Sequence, residues 1–118
     1  MKLLATFVTV LPLAFSLYIA EGARDLSAAS PKHRCKMVGG ADVNCHYCDR
    51  LDCKVVTVLQ DKQTYNFDCL CPDGESINGI SAWDHNPDKY CWVWSNTTDQ
   101  NCPTTGRNAL PMCDFCSK

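Results

Sequence analysis

The sequence is short of several things, and each shortage closes off a class of function. There is no basic excess: 11 Lys and Arg stand against 13 Asp and Glu, for a net charge of −2. A chain with that balance offers no electropositive stripe to a phosphate backbone, which argues against nucleic acid as a partner. No long apolar run follows residue 20, so no membrane contact is expected once the leader is removed. Internal repeats and low-complexity tracts are absent. Aromatic residues are few (4 Phe, 3 Trp and 4 Tyr), and a small domain needs their burial too much to expose them freely.

What is there begins with a leader. Residues 3–20 are almost wholly apolar and follow Lys2, the charged and apolar regions of a secretory signal peptide. Small residues at Ala20 and Gly22 place the expected cut after residue 22, so 1–22 reads as signal peptide. Residues 23–34, small, polar and Pro-containing, read as a flexible spacer or short propeptide, with Lys32-His33-Arg34 as a candidate processing site. Residues 35–118 then form a single disulfide-stapled domain.

That domain holds all ten cysteines: Cys35, Cys45, Cys48, Cys53, Cys69, Cys71, Cys91, Cys102, Cys113 and Cys116. An even number in a short chain behind a signal peptide predicts a disulfide framework. A domain this small buries too little surface to be secure without such bridges. Pairing is not readable, because ten cysteines allow roughly 945 arrangements. Cys69 and Cys71, two apart on a strand, face the same way and are not expected to bond each other.

The expected fold is small, disulfide-rich and mainly β. Val55 to Leu59 is β-branched or bulky, Asp61 to Gln63 is polar, and Tyr65, Phe67, Cys69 and Cys71 alternate with polar neighbours. These runs predict a hairpin over 54–71. Asn44 stands where an N-cap would, before Cys45 and Cys48, which predicts a short helix near 45–52. Ile77-Asn78-Gly79-Ile80 is a strong tight-hairpin signal and predicts brief strands near 75–83. Asp84 to Asp88 reads as a turn closed to strand by Pro87. Residues 90–95 predict another strand, with Tyr90, Trp92 and Trp94 on one face. Asn96-Thr97-Thr98 is an N-glycosylation acceptor.

Three constellations bear on chemistry. The pairs Cys45/Cys48 and Cys113/Cys116 have zinc-ligand spacing, but they lie far apart in the chain and are expected to oxidise, so no metal or other cofactor is predicted. His33, His46 and His85, with Asp68, Asp84, Glu75 and Arg107, are the acid–base candidates, and Glu75, His85 and Arg107 could form a ribonuclease-like trio; nothing in their spacing brings them together. Tyr90, Trp92, Trp94 and nearby Trp83 could stack sugar rings, although core packing is the favoured use of these rings.

With a leader, a polar spacer and a ten-cysteine domain, the chain resembles the small secreted cysteine-rich effector proteins of plant-associated fungi. The resemblance is one of architecture over the full length. It implies secretion to the host apoplast or host–pathogen interface, virulence by binding a host component without catalysis, and a monomer. Its partner would be a host protein or a cell-wall polysaccharide. A chitin-binding module using the aromatic stripe is the alternative, and a small hydrolase or ribonuclease around His85 the second alternative. The chain lacks the Cys-Cys doublets of hydrophobins and the glycine- and lysine-rich pattern of antifungal barrels, so no residue roles carry over from those groups.

Overall fold

The computed structural model describes residues 33–116. The signal peptide assigned to 1–22 and the spacer up to residue 32 lie outside the described residues. The fold is mainly β and disulfide-rich, as expected. Among the described residues, seven strands, β1 (His33–Lys36), β2 (Val43–His46), β3 (Val55–Leu59), β4 (Thr64–Phe67), β5 (Cys69–Cys71), β6 (Trp83–Asn86) and β7 (Cys91–Trp94), precede a 3-10 turn, Ser95–Thr97. They form a two-stranded sheet, β1-β4, and a five-stranded sheet in the order β3-β2-β7-β6-β5. All described pairings between these strands are antiparallel. β1 starts two residues before Cys35, with His33 opposite Phe67, so the end of the assigned spacer belongs to the domain.

The hairpin expected over 54–71 is not formed. A turn does reverse the chain, with Gln63 N donating to Gln60 O at 3.2 Å and Lys62 at φ 67°. The runs on either side then join different sheets: β3 pairs with β2, and β4 pairs with β1. The reason is where the apolar atoms go. Only Leu59 of β3 is buried, because the β-branched residues Val55 to Val58 occupy both faces and commit to neither. Phe67 and Tyr65 instead join the core from the strand paired beside β1. The chain crosses to the large sheet at Asp68, whose N–H donates to His85 O at 3.1 Å.

The helix expected near 45–52 is absent as well. Cys45 lies in β2 and bonds Cys91 of β7, while Cys48 bonds Cys53 across a turn. Helical geometry rotates about 100° per residue, which would point Cys48 and Cys53 apart. The bridge and Tyr47 N donating to Lys54 O at 2.8 Å close a loop instead. The residues expected to turn at Asp84 enter β6 and are buried, and the break comes only at Pro87. Of the strands expected near 75–83, only the bridge Ile77 to Ile80 forms before β6. Its Asn78-Gly79 turn has φ 51° and 84° at the two central residues, the mirror-image turn that matches strand twist.

Alternation along the central strands splits the core. Leu70, Cys91 and Val93 face one side and join Phe67, Met37, Leu59 and Leu110 under the small sheet. Cys69, Cys71, Trp83, Trp92 and the partly buried Trp94 face the other. Five bridges close the structure: Cys35–Cys102, Cys45–Cys91, Cys48–Cys53, Cys69–Cys113 and Cys71–Cys116. Cys69 and Cys71 thus take separate partners, as their shared face requires.

Candidate functional site

The aromatic stripe divides on folding. Trp92 is buried, Trp83 is buried, Trp94 is half-buried, and Tyr90 is 70 % exposed. Tyr90 lies in the turn before β7 at φ 55°, so the strand alternation that would align it with Trp92 and Trp94 never reaches it. No flat ladder of rings results.

Trp94 and Trp83 instead line a groove of about 320 Å³ on the aromatic side of the large sheet, at the lower end of the range for small-ligand sites. Val43, Leu51 and Ile77 add apolar surface, and Asn44, His46 and Thr97 add polar groups. The indoles are held by backbone carbonyls: Trp94 Nε1 donates to Ile80 O at 3.0 Å, and Trp83 Nε1 donates to Glu75 O at 2.9 Å. The Asn-Gly hairpin therefore pins Trp94 at the groove. His46 Nδ1 donates to Cys53 O at 2.9 Å, which fixes its tautomer. The ring meets Trp83 edge-on, with centroids 6.0 Å apart.

A second feature lies farther along the same face. His85 Nδ1 meets Asp68 Oδ1 at 2.8 Å, and His85 is 1 % exposed. Trp92, Phe115 and Tyr90 surround it at centroid distances of 4.5, 4.8 and 5.6 Å. His85 Nε2 and Trp92 Nε1 are buried and have no hydrogen-bond partner among the described residues. The expected trio does not assemble. Glu75 Oε1 accepts from Leu51 N at 2.7 Å, Arg107 is exposed on a late loop, and His85 is turned to Asp68. His33 contacts Asn108 O at 3.1 Å from the first strand.

Asp84, one residue before His85, points to the opposite face and is fully buried. Burial pushes its carboxyl up to about 7, and the hydroxyl of Thr98, donating to Oδ2 at 2.7 Å, works against that rise. Thr98 belongs to the glycosylation acceptor. Asn96 itself is exposed on the 3-10 turn, but the Thr98 hydroxyl is engaged with Asp84 and Ser95 O. The two Cys-x-x-Cys pairs do not meet as a zinc set, since Cys45 and Cys48 bond Cys91 and Cys53 while Cys113 and Cys116 bond Cys69 and Cys71.

The groove was not legible beforehand. Trp83 and Trp94 stood out as aromatics, whereas the local signals at Asn44 (a cap) and Ile77 (a hairpin) do not point to a shared site with Leu51, and these residues come together only in the fold. Together, fold and groove define a disulfide-stapled β module with an aromatic-lined depression. No protein-family model, curated protein or solved structure matches this chain. No helix among the described residues is long and apolar enough to cross a membrane, and five bridges are the chemistry of an oxidising compartment.

Proposed function

We propose that this chain is a secreted effector-type protein that binds a host protein without catalysis, and that the Trp94 groove is the contact. The carrying observation is the pinned Trp94 beside Leu51, Ile77 and Val43, an apolar depression with polar groups at its margin. A depression of this kind accepts one large apolar side chain from a partner, the arrangement in which a few residues supply most of the binding energy. The disulfide frame makes the site rigid before binding, which lowers the entropic cost of association. Secretion, virulence, a monomeric state and an N-glycan on Asn96 belong to the same proposal.

The test uses the immobilised protein, its Trp94→Ala variant and its Ile77→Asp variant against host extracellular fluid. A host protein held by the wild type should be lost by at least tenfold with both variants, since a central anchor contact is worth about 2 kcal/mol or more. A partner retained equally by all three would move the site elsewhere.

A second reading is supported by the half-buried Trp94 indole with Asn44 next to it: a sugar ring stacking in the groove, as in a chitin-binding module. Retention on insoluble chitin that Trp94→Ala abolishes is its expected outcome, and no retention removes it.

A further inference from the structure

Two short cysteine motifs meet on the aromatic side of the sheet. Cys69 and Cys71 sit on β5, while Cys113 and Cys116 come from the segment after Met112, giving the bridges Cys69–Cys113 and Cys71–Cys116. The bridges are not isolated from one another. The sulfurs of Cys71, Cys113 and Cys116 all lie within 4.8 Å of each other, although Cys113 is bonded to neither of the other two. At the inner end, Cys69 Sγ, a ring nitrogen of His85 and a carboxylate oxygen of Asp68 also lie within 4.8 Å of one another. The result is a continuous row, Cys116, Cys71, Cys113, Cys69, His85 and Asp68.

Both ends of the row are part-exposed, at Cys116 and at Asp68, and its sulfurs can be reached from solvent at Cys116. Cys69, Cys71 and Cys113 are buried, whereas Cys116 is half-buried. Cys116 and Cys113 line a cavity of about 160 Å³, together with Asp49, Asp73 and Asp114. The two segments are also held without sulfur: Leu70 N donates to Pro111 O, and Cys113 N donates to Leu70 O, both at 2.8 Å. Breaking one bridge therefore leaves the remaining sulfurs aligned.

We propose that these two bridges form a thiol–disulfide exchange site that takes small neutral or cationic thiols at Cys116 and passes the exchange inward to Cys69. In the first step, the thiolate of a thiol RSH attacks Cys116 Sγ; an RS–Cys116 bond forms, the Cys71–Cys116 bond breaks, and Cys71 leaves as thiolate. In the second, Cys71 attacks Cys113 Sγ, so that a Cys71–Cys113 bond forms and Cys69 leaves as thiolate. Cys69 takes up the proton that RSH gave up, beside the His85 ring held by Asp68. One thiol is consumed, one is released, and the count of disulfides is unchanged. The preference among thiols follows from the carboxylate of Asp114, which is exposed at the cavity and repels anionic thiols.

The experiment treats the oxidised, folded protein with cysteamine at less than one equivalent, quenches with acid, alkylates, and maps the peptides after peptic cleavage at Leu70 and Phe115. The expected product carries cysteamine on Cys116, a Cys71–Cys113 linkage and an alkylated Cys69. Alkylated Cys71 with Cys69–Cys113 intact overturns the relay, as does opening confined to other bridges. For the thiol preference, rates with cysteamine and 2-mercaptoethanesulfonate are each normalised to the rate on a small disulfide. Cysteamine should be faster by roughly threefold to tenfold at low salt, with the gap closing as salt screens the carboxylate; equal normalised rates overturn the charge selection. His85→Asn should leave cysteamine addition at Cys116 unchanged and lower the yield of Cys71–Cys113. An unchanged yield removes His85 from the relay, and the mapping on the unaltered protein stands whether or not this variant folds.

Discussion

The two faces of the five-stranded sheet are closed by different chemistry. Under the small sheet, Met37, Leu59, Phe67, Leu70, Val93 and Leu110 pack around the sulfurs of Cys35, Cys45, Cys91 and Cys102. On the far side, Trp83, Trp92 and Trp94 share space with His46, His85 and the Cys69, Cys71 and Cys113 sulfurs. The first face is covered by a second layer, and its one acid, Asp84, is engaged by Thr98. The second has no sheet over it. It is closed only by side chains and the terminal cysteine segment, and it keeps the groove, the Asp68–His85 contact and the two unpartnered ring nitrogens. The first face carries a buried polar group of its own, Asp84, whose Oδ1 has no partner among the described residues, whereas the second gathers its polar groups into rings packed against one another.

The sharpest way to break that contrast is to remove bridges one at a time. Cys35–Cys102 ties the covered face across a separation of 67 residues, and Cys48–Cys53 spans only 5. Chain-entropy arguments give about 4 kcal/mol for the first and about 2 kcal/mol for the second. Denaturant unfolding of the Cys35→Ala/Cys102→Ala and Cys48→Ala/Cys53→Ala proteins should show that order; equal losses would mean that loop length does not set what each bridge contributes.

A pH test comes next. The Asp84 carboxyl is raised from 3.8 to about 7 in the folded protein, chiefly by burial. Between those values the unfolded chain releases its proton while the folded one keeps it, so stability is full below about pH 4, falls as pH rises, and levels off above about pH 7. Asp84→Asn should abolish that decline and be the more stable protein at pH 8, by on the order of 2 kcal/mol. Parallel pH profiles for the two proteins would refute the assignment.

Gly74 tests the other face. A Cβ there would run into the Trp83 indole and the Asp49 backbone carbonyl, so Gly74→Ala should cost about 1–3 kcal/mol by overpacking and should disturb the indole fluorescence. An unshifted melting temperature would mean that this face yields freely. The smallest effect is expected at Asn96, exposed on the 3-10 turn after β7. Asn96→Gln should leave the melting temperature unchanged and remove any glycan mass from protein made in a eukaryotic host. Because Thr98 is buried against Asp84 in the folded state, a glycan present at Asn96 must be added before this segment closes.

Local pattern made much of the β content readable. The β-branched run at Val55 to Leu59, the alternation at Cys91 to Trp94 and the Asn78-Gly79 turn each carry their own signal, and each forms the local structure expected of it. The failures share one cause. Val55–Leu59 and Thr64–Phe67 look like hairpin partners because they are adjacent, and the helix at Cys45 looks plausible because Asn44 can cap it; both readings weigh neighbours in sequence. Partners for β3 and β4 were decided by burial of Phe67 and Tyr65, and the fate of Cys45 by a bond to Cys91, distant in the chain.

From the amino-acid sequence alone came a small β domain in which all ten cysteines pair, because alternation, turn residues and cysteine count are properties of short stretches. Which cysteine meets which, which aromatics stay exposed, and that His85 turns to Asp68 were decided only by the tertiary structure. Those outcomes depend on which strands become neighbours, and strand pairing is a contest among whole faces for burial that no local stretch can settle.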